Sequence, residues 1–364
     1  MKISNIRIRD FKSIRELDLS LNNINVLIGP NGAGKSNFIQ FFSLLNNIVS
    51  QNLQNYVAAN GGSNNFIFFG KKYSDSFAGL VSFEEGASYE FQLVSTVDNK
   101  FYFKRELIKH KEQIKDEPDG LNFAYGNNEA RLPELLKTKS YINSLVQMVN
   151  SIGRLRTFHF NDTSFSAKVK GDCDVHDNRN FRGDASNLAA YLYLLQENFN
   201  DYFVRIENTI KLIAPFFEKF QLEPLALNKE KIRLEWKHVG SDEYFNANHL
   251  SDGTLRMICL ATLLLQPDAP DTIIIDEPEL GLHPAAIELL SSLIKQASSN
   301  NKQIICSTQS VTFLNHFEPE DIIVVDRNNG ESLFKRLDKI SLSDWLNEYS
   351  IGELWEKNVL GGRP

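Results

Sequence analysis

Apolar and polar residues alternate through MKISNIRIRDF at the start of the chain, the period of a strand with one covered face. Residues 2–9 and 16–28 are predicted as strands, and the second closes in the unbroken apolar run of residues 24–28. A helix is predicted over residues 36–49, where Phe38, Ile39, Phe42, Leu44 and Leu45 supply the apolar positions. After the segment NGGSNN, further strands are expected near residues 79–83, 89–96 and 101–108, as an antiparallel layer beside the first elements. The charged stretch KHKEQIKDEPDG, residues 109–120, reads as a loop and a lobe boundary. Helical patterns hold over residues 132–152 and 186–220, with Ser186 as the N-cap of the second. Two strands near residues 222–227 and 231–236 come next. Strands at 272–275, 303–307 and 321–325 then alternate with helices, which predicts a parallel sheet with crossovers. Helices around Asp344 and Glu353 finish the pattern, and heptads nowhere persist long enough for a coiled-coil arm.

Four motifs punctuate these elements. Gly29, Pro30, Asn31, Gly32, Ala33, Gly34, Lys35 and Ser36 match G-x-x-x-x-G-K-[ST] between a buried strand and a helix. Glycines let the backbone curl so that its N–H groups converge on phosphates, and the following helix adds a favourable dipole. Lys35 is placed to reach the β and γ phosphates of ATP, Ser36 to give a hydroxyl to Mg2+, and Asn37 continues the loop. In TIIIDEPELGLHP, an apolar strand delivers Asp276 and Glu277 to the end where a parallel sheet places its ligands. Asp276 suits a magnesium position, and Glu277 suits a general base that polarises the attacking water. In LSDGTLR, Ser251 caps a helix whose first N–H groups remain available near Gly253, a second anion site. In STQS, Gln309 follows a buried strand and can hydrogen-bond the γ-phosphate or the water, while Ser310 caps the next helix.

The bulk properties narrow the setting. With 42% hydrophobic and 23% charged residues the chain is globular in type, and a formal charge of -7 argues against a generally basic nucleic-acid binder. The longest apolar run, near residues 257–265, is far short of a membrane span, and no signal peptide is recognisable. Cys173, Cys259 and Cys306 are unpaired in pattern and read as reduced thiols, so a cytoplasmic protein without a membrane partner is expected. Cys173 and His176 have the spacing of half a zinc site with no second half. Arg154, Arg156, Arg179 and Arg182 could meet phosphates, DNA or a protein partner, and Trp345 and Trp355 are expected to pack the last helices.

In this order the motifs resemble an ABC-type ATPase head, from the branch holding SMC, RecF and OLD proteins. The opening FKSI and the EPELGLHP continuation fit that branch better than membrane transporters. The resemblance implies an α/β P-loop NTPase with a mixed or parallel β core, an antiparallel β layer and a helical insertion. It implies one head over residues 1–364, with residues 1–120 and 268–364 as one lobe and 121–267 as the other. Lys35, Ser36, Asp276 and Glu277 carry over to phosphate, magnesium and catalysis. Ser251 and Gly253 would bind the γ-phosphate held by a second subunit of a dimer, and His283 falls in the D-loop. The switch position, commonly histidine, is Gln309 here, which implies slow turnover, and the Q-loop glutamine has no clear match. OLD nucleases carry a further nuclease domain and SMC proteins long arms, so a stand-alone head is expected. Such heads resemble ATPase subunits of anti-phage systems whose effector, such as a nuclease, is a separate protein, and the resemblance also allows DNA or RNA as a partner. The competing reading is an ATP-binding regulatory subunit with almost no turnover.

Overall fold

The computed structural model describes residues 1–110, 121–122, 126–134 and 143–363. Its strands are β1 (Ile3–Phe11), β2 (Ile14–Ser20), β3 (Ile24–Ile28), β4 (Ser76–Phe83), β5 (Ala87–Ser95), β6 (Phe101–His110), β7 (Leu121–Asn122) and β8 (Thr157–Phe158). They continue with β9 (Cys173–Asp174), β10 (Phe217–Phe220), β11 (Lys231–Ile232), β12 (Glu235–His238), β13 (Tyr244–Asn246), β14 (Thr272–Asp276), β15 (Gln303–Ser307), β16 (Ile322–Asn328) and β17 (Glu331–Arg336). Two six-stranded sheets dominate. One is antiparallel throughout, in the order β2-β1-β4-β5-β6-β7. The other has the order β17-β16-β3-β15-β14-β8, parallel except for the β17 edge.

Side-chain alternation explains how the second sheet is covered. Leu27, Ile274, Ile305, Ile323 and Val325 point to a core shared with the helix Lys35–Val49 and the antiparallel sheet. Their neighbours Val26, Ile28, Ile273, Ile275, Ile304, Cys306, Ile322 and Val324 point the other way, into a second core. That core holds the helices Leu188–Asn198, Asn200–Ile213, Asp252–Leu265 and Pro284–Ser299. Strands buried on both faces read as continuous apolar runs, which is why each was visible in the sequence. The apolar positions of Lys35–Val49 face a cluster of aromatic rings, with Phe11 and Phe41 edge to face at 5.6 Å.

Several expected elements differ in detail. The stretch 16–28 is two strands in two sheets, because Asn22 and Asn23 let the chain leave one sheet for the other. Ser186 does not cap the next helix; its N–H bonds Asp184 at 3.1 Å, and Asn187 stands at the boundary without a side-chain cap. The Asn187 side chain staples the preceding loop instead, accepting from the Arg182 N–H and donating to the carbonyls of Asp177 and Asn180. The helical stretch 186–220 breaks at Phe199 and ends at Ile213, before Pro215, and residues 217–220 are strand. Residues 222–227 form no strand; Pro224 lacks a ladder donor there. The stretch 186–220 is therefore two helices followed by the first strand of the small sheet β10-β12-β13. Most of the charged stretch 109–120, and residues 135–142 of the stretch 132–152, lie outside the described residues. Trp355 is fully buried, but Trp345 is 48% exposed. Among the described residues no helix is long and apolar enough to cross a membrane.

Ile305 sits fully buried between the phosphate-loop helix and the antiparallel sheet. Replacing it with alanine is expected to lower the unfolding free energy by about 2–5 kcal/mol, measured by urea denaturation.

Candidate active site

The sharp turn after β3 depends on glycine. Gly29, Gly32 and Gly34 have φ of 148°, 76° and 120°. A Cβ on Gly29 would lie 2.0 Å from the Val325 carbonyl oxygen, and one on Gly34 would lie 2.1 Å from Ser332 Oγ. Ser332 Oγ donates to the Ala33 carbonyl and lies 2.7 Å from Ser13 Oγ, which accepts from Asn37 Nδ2 at 2.7 Å. The serine of FKSI thus ties the first strand pair to the loop and to β17. Lys35 Nζ donates to the carbonyls of Gly29 and Pro30 at 2.5 and 3.2 Å. Burial holds the Lys35 ammonium below the usual lysine range, opposed by Glu277, Asp276 and Glu279.

The acidic strand end arrives beside this loop. One pocket is lined by Pro30, Asn31, Gly32, Gly34, Lys35, Ser36 and Asn37 together with Asp276, Glu277 and Gln309. Three of the four motifs, far apart in sequence, therefore meet. Asp276 accepts from Ser307 Oγ at the end of the neighbouring strand β15. Glu277 has φ of 47°, an unfavourable backbone for a side chain of this kind, held by its N–H on Ser307 O at 3.1 Å. Gln309 Nε2 donates to Glu277 Oε1, so the glutamine side chain fixes one oxygen of that carboxylate. Ser251, Gly253 and His283 do not line this pocket. Ser251 caps the helix Asp252–Leu265 through the Thr254 N–H at 3.1 Å, and His283 caps Pro284–Ser299. Both are exposed. A Cβ on Gly253 would lie 2.8 Å from the Gly281 carbonyl oxygen, so the signature and the D-loop touch backbone to backbone.

Three residues beside the site have no role assigned from the sequence, although Arg256 and Glu279 lie inside its motifs. His159 follows β8, the edge strand beside β14, and places Nδ1 3.6 Å from Asp276 Oδ2. Arg256 donates to the carbonyls of Phe160 and Asn161 at 3.1 and 2.8 Å and to that of Leu280, joining the signature helix to the segments after β8 and β14. Glu279 is buried; its Oε1 accepts from Thr308 Oγ1 at 2.5 Å and the Gln309 N–H at 3.3 Å. Burial pushes the Glu279 carboxyl above the usual range, and the nearby Glu277 adds to this against the pull of Thr308.

Residues 24–315, more than half of the chain, match a family model described as "AAA domain, putative AbiEii toxin, Type IV TA system". The chain belongs to this family. It is an ABC-type ATPase of the branch that holds SMC, RecF and OLD proteins. A curated member of that branch, the OLD nuclease of Thermus scotoductus, is 22% identical over 96% of this chain and 67% of its own length. The energy-coupling factor transporter ATP-binding protein EcfA2 of Staphylococcus aureus is 30% identical over 26% of this chain and 34% of its own length. Two solved SMC heads share the fold. One, bound to the C-winged helix domain of ScpA, has a TM-score of 0.59 at 15% identity, covering 93% of this chain and 100% of that one. The other, from Pyrococcus furiosus, has a TM-score of 0.56 at 12% identity, with coverages of 95% and 98%. Membership of the family accounts for the mixed sheet, the antiparallel layer and the phosphate loop.

Glu279→Ala should leave the Thr308 hydroxyl and the Gln309 N–H unpaired, costing about 1–3 kcal/mol of stability by denaturation. Turnover of ATP should fall on the order of tenfold to a hundredfold as Gln309 loosens, whereas Glu279→Gln, which retains an acceptor, should keep most of it. Equal activity in the two variants would remove the positioning role of Glu279.

Proposed function

We propose that the chain binds ATP with Mg2+ in the pocket between the Gly29–Ser36 loop and the β14 end, and hydrolyses it slowly as a dimeric switch. The observation that carries this reading is the convergence of Lys35, Ser36, Asp276, Glu277 and Gln309 on one pocket. Its donor set fits magnesium: a hydroxyl on Ser36 and a carboxylate on Asp276 are the hard oxygens such a cation takes. Bound there, the ion would neutralise charge on the phosphates. Lys35 leaves the loop carbonyls to pair with phosphate oxygens, a charge-assisted contact that backbone N–H groups do not replace. Glu277 accepts the proton of the attacking water, and Gln309 holds that carboxylate in place while supplying no proton of its own near neutral pH.

The exposed signature supports a composite site. Ser251 and Gly253 are expected to meet the nucleotide of a second subunit across a two-fold axis, so that ATP closes the interface and hydrolysis releases it. The names of the family and of the OLD relative, a toxin and a nuclease, support a role beside a separate effector in nucleic-acid-directed defence, with repair the other setting for such a switch. Gln309 in place of histidine favours a second reading, an ATP-binding assembly subunit with almost no turnover.

Lys35→Ala should abolish ATP binding by calorimetry. Glu277→Gln should bind ATP normally but turn over about 10²–10⁴-fold more slowly. A wild-type rate already at the level of Glu277→Gln would establish the assembly reading instead.

Pairing a wild-type subunit with one carrying both Lys35→Ala and Ser251→Arg separates composite from self-contained sites. In a composite dimer each site then holds one lesion and activity is lost. Retention of half the activity would show that each subunit completes its own site.

A further inference from the structure

Four arginines gather at the end of β8 remote from the phosphate loop. Arg154 and Arg156 precede β8, which runs parallel to β14, so they lie beside the start of β14 while Asp276 lies at its end. Arg154, Arg156 and Arg179 line a recess walled by Phe158 and Phe181 and rimmed by Asp268. Arg154 is already committed, bridging Asp268 at 2.9 Å, and Arg182 bridges Asp177 at 2.7 Å. Among the described residues, Arg156 and Arg179 join no carboxylate and make no hydrogen bond through their side chains. Asp268 is taken up by Arg154 and Asp177 by Arg182, so Arg156 and Arg179 are left without a carboxylate partner among the described residues.

The position of Arg156 makes this balance costly. It is half-buried beside apolar ring walls, and burial, Arg154 and Arg182 all push its guanidinium below the ordinary arginine range. A partly desolvated cation among like charges is stabilised by an anion that bridges the group. Arginine forks match tetrahedral oxyanions, since each planar guanidinium can address two oxygens. A phosphate has enough oxygens to serve several forks at once, whereas a carboxylate has only two. Tyr191, on the same wall, has its hydroxyl engaged with Gln266 at 2.7 Å, so the free donors of the recess are guanidinium groups and the Asn180 amide.

We propose that this recess is a further anion site, separate from the nucleotide loop and from the Ser251–Gly253 helix start, where Arg156 and Arg179 hold a phosphate group. The group can come from a nucleic-acid backbone or from a free phosphate or phosphomonoester, and the site does not depend on whether the chain hydrolyses ATP. The test titrates a short fluorescent DNA duplex at low salt and, separately, inorganic phosphate by calorimetry. Both are done on the full chain and on Lys35→Ala, where the nucleotide loop no longer contributes. At least one probe should bind, and Arg156→Gln and Arg179→Gln should each weaken it roughly tenfold to a hundredfold, the worth of a charge-assisted contact. Arg156→Lys, which keeps the charge without the fork, should lose less. Arg179 is exposed, so its glutamine variant removes a charge without opening a cavity. Loss of duplex binding assigns the group to a nucleic-acid backbone, and loss of phosphate binding alone assigns it to a free phosphate source. Binding of neither probe, or binding that survives both glutamine variants with folding intact, overturns the proposal.

Discussion

A parallel sheet covered on both faces can present polar chemistry only at its strand ends. Here β16, β3, β15 and β14 send alternate side chains into two separate apolar cores, so their middles hold no functional group. The phosphate loop leaves the end of β3, Asp276 ends β14 and Ser307 ends β15. Register then does the rest. Asp276 lies opposite Ser307, and Cys306 opposite Val26, which sets the acidic pair and the switch beside the glycine turn.

The polar groups at those ends are coupled more tightly than their motifs suggest. Ser307 serves both carboxylate residues, through its hydroxyl on Asp276 and its carbonyl on the Glu277 N–H. Glu279 grips the switch segment from below while Gln309 reaches across to Glu277. A buried carboxylate among hydrogen bonds is costly to leave unpaired, so the loop after β14 and the segment after β15 hold each other in one arrangement. The strained backbone at Glu277 persists because these contacts determine it.

What was legible in the sequence was what local chemistry encodes. The phosphate loop needs glycines at fixed spacing, and doubly buried strands need unbroken apolar runs, so both stood out. Capping by Ser251 and Ser310 was equally local. Asn187 defeated the same rule: a good cap by type, it is spent on stapling a loop, a choice set by three partners that folding brings around it. His159 was hidden because β8 is only two residues long and pairs with a strand more than a hundred positions away. Proline at 215 marks the break in the insertion, but the helical periodicity on either side of it masks that signal, and Pro224 sits in a stretch whose apolar pattern resembles a strand.

The contact between Gly253 and Gly281 has a mechanical consequence. Side chains absorb small displacements by changing rotamer, but two backbones in direct contact have no such slack. Arg256 adds a clamp across the same junction through the Leu280 carbonyl. The start of the signature helix and the turn after the acidic strand therefore behave as one stiff lever, with the acidic pair at its root and Ser251 at its tip. A shift at the root is carried outward to the tip instead of being lost in soft packing between them.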